Sequence, residues 1–207
     1  MNDKRSGIQS LIMIIDYKLF NTQAGVVMLK KMFLPVLFSF AVVMSINAQN
    51  KNSFIGADAC GMCHKTEKQG KQLDIWKQSK HSQAFKTLQT EKANEIAKGL
   101  GHTTPAAETQ ACLKCHVSGH DVDKSLLGAK FKMEDGVQCE TCHGAGSGYK
   151  DMKVMKSREE SIAKGLIVHE KLENFCVSCH NSESPTFKEI NITEAWDKIK
   201  HSVPETK

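Results

Sequence analysis

The sequence predicts one compact domain of short helices and long loops, with an interior filled by something other than apolar side chains. Three observations predict it. Eight cysteines fall into four Cys-x-x-Cys pairs, and each pair is followed at once by histidine. Aromatic residues make up only 6% of the chain, thin for the core of a domain this size. Between the pairs, apolar residues recur near helical spacing over short stretches, such as Leu73, Trp76, Ala84, Phe85 and Leu88. At 207 residues the chain holds one ordinary domain and not obviously two.

The N-terminal segment stands outside that domain. Met28-Leu-Lys30-Lys31-Met32 is a short basic region, and Phe33 to Met44 is an apolar run. Asn47-Ala48-Gln49 then offers a small residue for cleavage after Ala48 or Gln49. Residues 28–49 therefore read as a secretory signal peptide; the competing reading is an uncleaved membrane anchor, for which the run is short. Residues 1–27 precede a natural start at Met28 and read as a misassigned extension, although Leu11-Ile-Met-Ile-Ile15 could be part of a second apolar segment. The domain is expected over 50–207, exported, most simply to a periplasm. The formal charge of +5 includes five Lys/Arg and two Asp/Glu before residue 50, which leaves 23 against 21. A near-neutral balance with scattered lysines gives no nucleic-acid signal.

The pairs are Cys60-Gly-Met-Cys63-His64, Cys112-Leu-Lys-Cys115-His116, Cys139-Glu-Thr-Cys142-His143 and Cys176-Val-Ser-Cys179-His180. With nine histidines in the chain, four such followers by chance would occur about once in a few hundred thousand trials, so the histidine belongs to the motif. Zinc would join two pairs into a four-cysteine site and has no need of the adjacent histidine. A redox dithiol needs one pair beside a thioredoxin-like strand and helix, not four pairs without them. Structural disulfides rarely close so tight a ring and leave the histidines unexplained. C-type haem accounts for every part: two thiols add to the two vinyl groups, and the following histidine is placed under the iron. Four haems in a domain this small leave roughly 40 residues each, so the haems would be the core and folding would depend on them. Two ionised propionates on each ferric haem add about −1, making the loaded protein slightly acidic.

Four irons need sixth ligands, and His81, His102, His120, His169 and His201 remain. His81 lies in Trp76-Lys-Gln-Ser79-Lys-His81-Ser-Gln-Ala-Phe85. His169 follows a helix expected to open at Ser157, where Glu160 completes a capping box. His201 ends a short helix from Ile192 with Trp196 and Ile199 on its apolar side. His120 is four residues past His116, a span of at most ~13 Å, too little to cross the porphyrin edge and cap its own haem. His102, ten residues before Cys112, has roughly 33 Å of reach and could fold round to that face through Gly99-Leu-Gly101-His102-Thr-Thr-Pro105. The other reading makes both surface histidines.

These residues resemble the tetrahaem cytochrome c-554 family, typified by the electron carrier that serves hydroxylamine oxidation in nitrifying bacteria. The resemblance runs from Phe54-Ile-Gly56-Ala-Asp58-Ala-Cys60 to Lys198-Ile-Lys-His201. It rests on the first motif followed by Trp76…Ser79-Lys-His81, on Gly136-Val-Gln-Cys139-Glu-Thr-Cys142-His143-Gly144-Ala-Gly146-Ser, and on His180-Asn…Ser184-Pro185-Thr186-Phe187. It implies a mainly α, single-domain fold with little or no sheet and haems packed close. It also implies that His81 caps the haem of Cys176/Cys179, His169 that of Cys60/Cys63, and His201 that of Cys139/Cys142. The haem of Cys112/Cys115 would be five-coordinate, its open face covered by Pro185-Thr186-Phe187. The competing reading of that turn is an ordinary one with Phe187 in the core. His102 and His120 have no clear counterpart in the family.

The leading functional expectation is a periplasmic electron carrier, since a six-coordinate haem exchanges electrons with little ligand rearrangement. Met133, Met152 and Met155 could serve as axial ligands, but three well-placed histidines make them superfluous. Lys65, Lys68, Lys71 and Lys77 could steer redox partner proteins, or simply form a solvated face. The runner-up is an enzyme that reduces a small nitrogen oxide such as nitric oxide at the open haem; Glu183 and Thr186, near the candidate lid in sequence, could donate or relay protons. A third reading is the haem subunit of a membrane-associated reductase, with a membrane-anchored quinol oxidase or reductase as partner.

Overall fold

A computed structural model describes residues 51–202. The expected leader at 28–49 and the extension at 1–27 lie outside the described residues. The described chain is mostly helical, and its one extended pairing is the isolated parallel bridge of Phe54 with Leu127. Helices are short because local side chains stop them. Helix α1, Ala57–Gly61, carries Cys60 and opens at Gly56 with φ 86. A Cβ there would lie 2.5 Å from the Lys130 carbonyl oxygen, so only glycine fits.

Helix α2, Gln72–Gln78, does not continue through His81 as the apolar spacing suggests. The Ser79 hydroxyl donates to the Trp76 carbonyl, and the Ser82 hydroxyl to those of Lys77 and Ser79. Hydroxyls thus take the carbonyls that the next turn of helix would need. His81 lands in a 3-10 turn, His81–Gln83, before α3, Ala84–Leu88. Helix α4, Glu91–Gly99, starts at Thr90, whose Oγ1 accepts from the Ala93 N–H, and ends with Gly101 at φ 85. The His102 and Gly101 N–H groups return to the carbonyls of Ala97 and Lys98, a Schellman closure.

The remaining helices follow the motifs. Helix α5 is Gln110–His116, α6 is Cys139–His143, α7 is Met152–Met155, α8 is Arg158–Ala163, α9 is Leu172–Cys176 and α10 is Ile192–Ile199. At the expected capping box, Ser157 Oγ accepts from the Glu160 N–H, and α8 then ends six residues short of His169. Asn191 caps α10 in the same way.

The main apolar cluster lies in one place. Phe85, Leu88, Ala97, Ala106, Leu113 and Val117 form a buried cluster around the second motif, with Met133 against it. The largest fully buried side chains are polar: Gln138, Glu140, Ser118 and Ser161. The run Gly136–Glu140 is their hub. The Val137 N–H donates to His81 O, and Val137 O accepts from Trp76 Nε1. The Gln138 N–H reaches Ser118 Oγ, and its Oε1 accepts from the Ala57 N–H. One stretch of backbone thereby fastens α1, the His81 turn, the end of the second motif and the third motif together, with every buried polar group in it partnered.

Candidate haem-binding sites

None of the eight cysteines is paired in a disulfide. Among the described residues no group of three or more His, Cys, Asp or Glu is placed to hold a bare metal ion. The cysteine pairs do approach one another. Cys60 keeps its proton, pushed up by its hydrogen bond to Cys139 and then by burial, and that bond holds Cys139 down. Burial raises Cys115 to about 11, with Cys179 beside it adding to the rise. The first motif therefore adjoins the third, and the second adjoins the fourth.

The histidines sort themselves across these contacts. The rings of His81 and His180 face each other with centroids 6.1 Å apart. Those of His143 and His201 lie 6.0 Å apart. Two imidazoles on one metal stand apart by two metal–nitrogen bonds of about 2 Å each and two half-rings of about 1 Å each, or about 6 Å in all. Both gaps fit an iron between the rings. The tautomers fit as well. His201 Nδ1 donates to the Ile199 carbonyl at 3.0 Å, and His116 Nδ1 to the Ala84 carbonyl at 2.8 Å, which leaves Nε2 of each for a metal. Burial, then the neighbouring His180, holds His81 below its ordinary pKa. Burial, then His201, does the same to His143, which favours the neutral imidazole that a metal needs.

His64 and His169 are arranged differently. Both lie near His143, but His169 Nε2 donates to the Cys142 carbonyl at 2.7 Å and its ring stacks on Phe175 at 4.0 Å. His116 joins no other imidazole in a ring contact among the described residues. The backbone of His102 is pinned to the end of α4, and His120 lies 3.7 Å from Asp121. Met133 packs in the apolar cluster, while Met152 is 68% exposed.

The turn after the fourth motif does reach the second. Lys114 Nζ, inside the second pair, donates to Glu183 Oε2 at 3.0 Å. The Phe187 N–H closes the turn on the Ser184 carbonyl. Phe187 itself is 40% exposed, so it is not a core side chain in the manner of an ordinary turn. Ile167, Val168, Val177 and Trp196 are also exposed, all close in sequence to the proposed ligands. A flat apolar macrocycle would cover such side chains, and the donor set suits haem.

Residues 59–144 match the family described as cytochrome c554 and c-prime, a stretch that spans the first three motifs. Over that stretch, less than half of its length, the chain is similar to the cytochrome c554 family. A similar protein is cytochrome c-554 of Nitrosomonas europaea, 28% identical over 151 residues, which are 65% of this chain and 61% of the relative. The chain thus spans about three fifths of that relative's length. No solved structure matches. The likeness is to c-type cytochromes, and it supports reading the cysteine pairs as attachment points of covalently bound haem c. The fourth pair and its histidine lie beyond the matched stretch. What the sequence did not single out is the polar hub: Gln138 and Glu140 look like surface residues of a motif until the fold buries them.

Proposed function

We propose that this chain is an exported tetrahaem c-type cytochrome that relays electrons between redox partner proteins. Bound haem supplies the one-electron couple. The eight cysteines would tether it in four places, with His64, His116, His143 and His180 as the iron ligands of their own motifs. His81 and His201 would be the second ligands at the fourth and third motifs, and His169 at the first, its ring nitrogen freed from the Cys142 carbonyl. The observation that carries the reading is the pair of imidazole gaps of 6.1 and 6.0 Å, each joining a motif histidine to one distant in sequence. Residues locked by packing and backbone bonds change little when charge changes, which suits relay. The thiol contacts Cys60–Cys139 and Cys115–Cys179 set the motifs side by side in two couples. Among the described residues no helix is long and apolar enough to cross a membrane.

A second reading follows from His116, which has no facing imidazole, and from the Lys114–Glu183 contact that brings Pro185-Thr186-Phe187 to its motif. That site would bind a small ligand such as nitric oxide and reduce it, with Glu183 and Thr186 at its rim. Ferrous spectra before and after carbon monoxide test both. A shift of one haem in four is expected and opens the second reading to turnover assays. No shift means four capped irons and relay alone; a shift of several haems would overturn the histidine assignment.

A further inference from the structure

Glu140 fills the first variable position of the third Cys-x-x-Cys and is 2% exposed. Its Oε1 accepts from the N–H groups of Ile55 and Gly146 at 2.8 and 2.7 Å, and its Oε2 from that of Gly56 at 2.8 Å. Three donors converging on two oxygens suit an ionised carboxylate, which has acceptors only. No Lys, Arg or His among the described residues pairs with it. The charge is balanced by peptide dipoles alone. Cys60, Cys139 and Tyr149 all lie within its reach.

As a strut, Glu140 ties residues 55–56 to the loop after the third motif. A strut needs hydrogen bonds, but it does not need a buried charge. We propose that Glu140 also sets potential: its charge disfavours reduction of the haem tethered by Cys139 and Cys142, and of the adjoining haem tethered by Cys60 and Cys63. The inference rests on reading these motifs as haem tethers. An added electron beside a buried negative charge that no cation pairs costs free energy, and salt screens such a pair little. Charge and burial near the cofactor are among the protein's levers on its potential. No other pair holds an acidic residue between its cysteines, so the effect is local to these two haems.

The test is a potentiometric titration of the haem-loaded E140Q protein, followed by optical and electron paramagnetic resonance spectra. One or two potentials are expected to rise by roughly a tenfold change in reduced-to-oxidised ratio, about 59 mV for one electron, with the others unmoved. The rise should persist in high salt, and E140D, which keeps the charge, should stay near native values. Unmoved potentials in an E140Q protein with its full haem complement overturn the inference. Should E140Q not take up haem, redox difference infrared spectra of the native protein with isotope-labelled glutamate decide instead. A label-sensitive carboxylate band that responds to reduction supports the role, and its absence overturns it. Free alkylation of Cys60, Cys63, Cys139 and Cys142 in the native protein would refute the tether reading itself, and this inference with it.

Discussion

Replacing Gly136 with alanine should disturb one histidine pair and the whole hub at once. Gly136 has φ 68 and ψ −132, a region closed to other residues, and alanine there costs about 1–3 kcal/mol. The new Cβ would also stand 2.7 Å from the His81 carbonyl oxygen and 3.2 Å from the nitrogens of Ala84 and Phe85. These are backbone atoms, so the His81 turn itself must move. That movement strains the 3.0 Å bond from the Val137 N–H to His81 O, and losing it adds about 1 kcal/mol. Together the loss is about 2–4 kcal/mol, which for a domain of this size lowers Tm by roughly 5–15 °C. The haem between His81 and His180 should lose part of its low-spin signal in the same protein. G99A is the control: nothing lies within 4 Å of its Cβ, and alanine favours the helix by up to about 1 kcal/mol. A G136A protein with native Tm and an intact low-spin spectrum would refute the placement of His81.

Three further outcomes are expected. Y149F removes a buried hydroxyl that donates to the His143 and Gly144 carbonyls at 3.0 and 2.8 Å, and should cost about 1–3 kcal/mol in denaturant unfolding; an unchanged midpoint would contradict the hub. H81A, H201A and H169A should each convert one low-spin haem to high-spin in resonance spectra, with haem content unchanged, and a variant that alters no signal removes that histidine from the ligand set. K114A breaks an ion pair whose side chains are 51% and 72% exposed, so its stability change should stay within about 1 kcal/mol; a larger one would mean that the contact holds the turn of Pro185 in place.

The chemistry was legible in the sequence by itself. Four cysteine pairs with following histidines name their cofactor through covalent bonding rules, which do not depend on the fold. The short helices were legible too, because Ser157 and Asn191 cap their helices through local contacts. Which histidine faces which motif was not, since those pairings join distant segments and came only through family resemblance. In the tertiary structure His81 faces His180 and His143 faces His201, while His169 donates to the Cys142 carbonyl. The Ser79 and Ser82 hydroxyls end α2 locally, but the Val137 N–H on His81 O fixes the turn whose histidine faces His180 from a segment more than fifty residues away. Glu140 shows the limit most plainly. Nothing in Cys-Glu-Thr-Cys says that the glutamate is buried, because its three donors come from Ile55, Gly56 and Gly146, and burial is a property of what packs around a side chain.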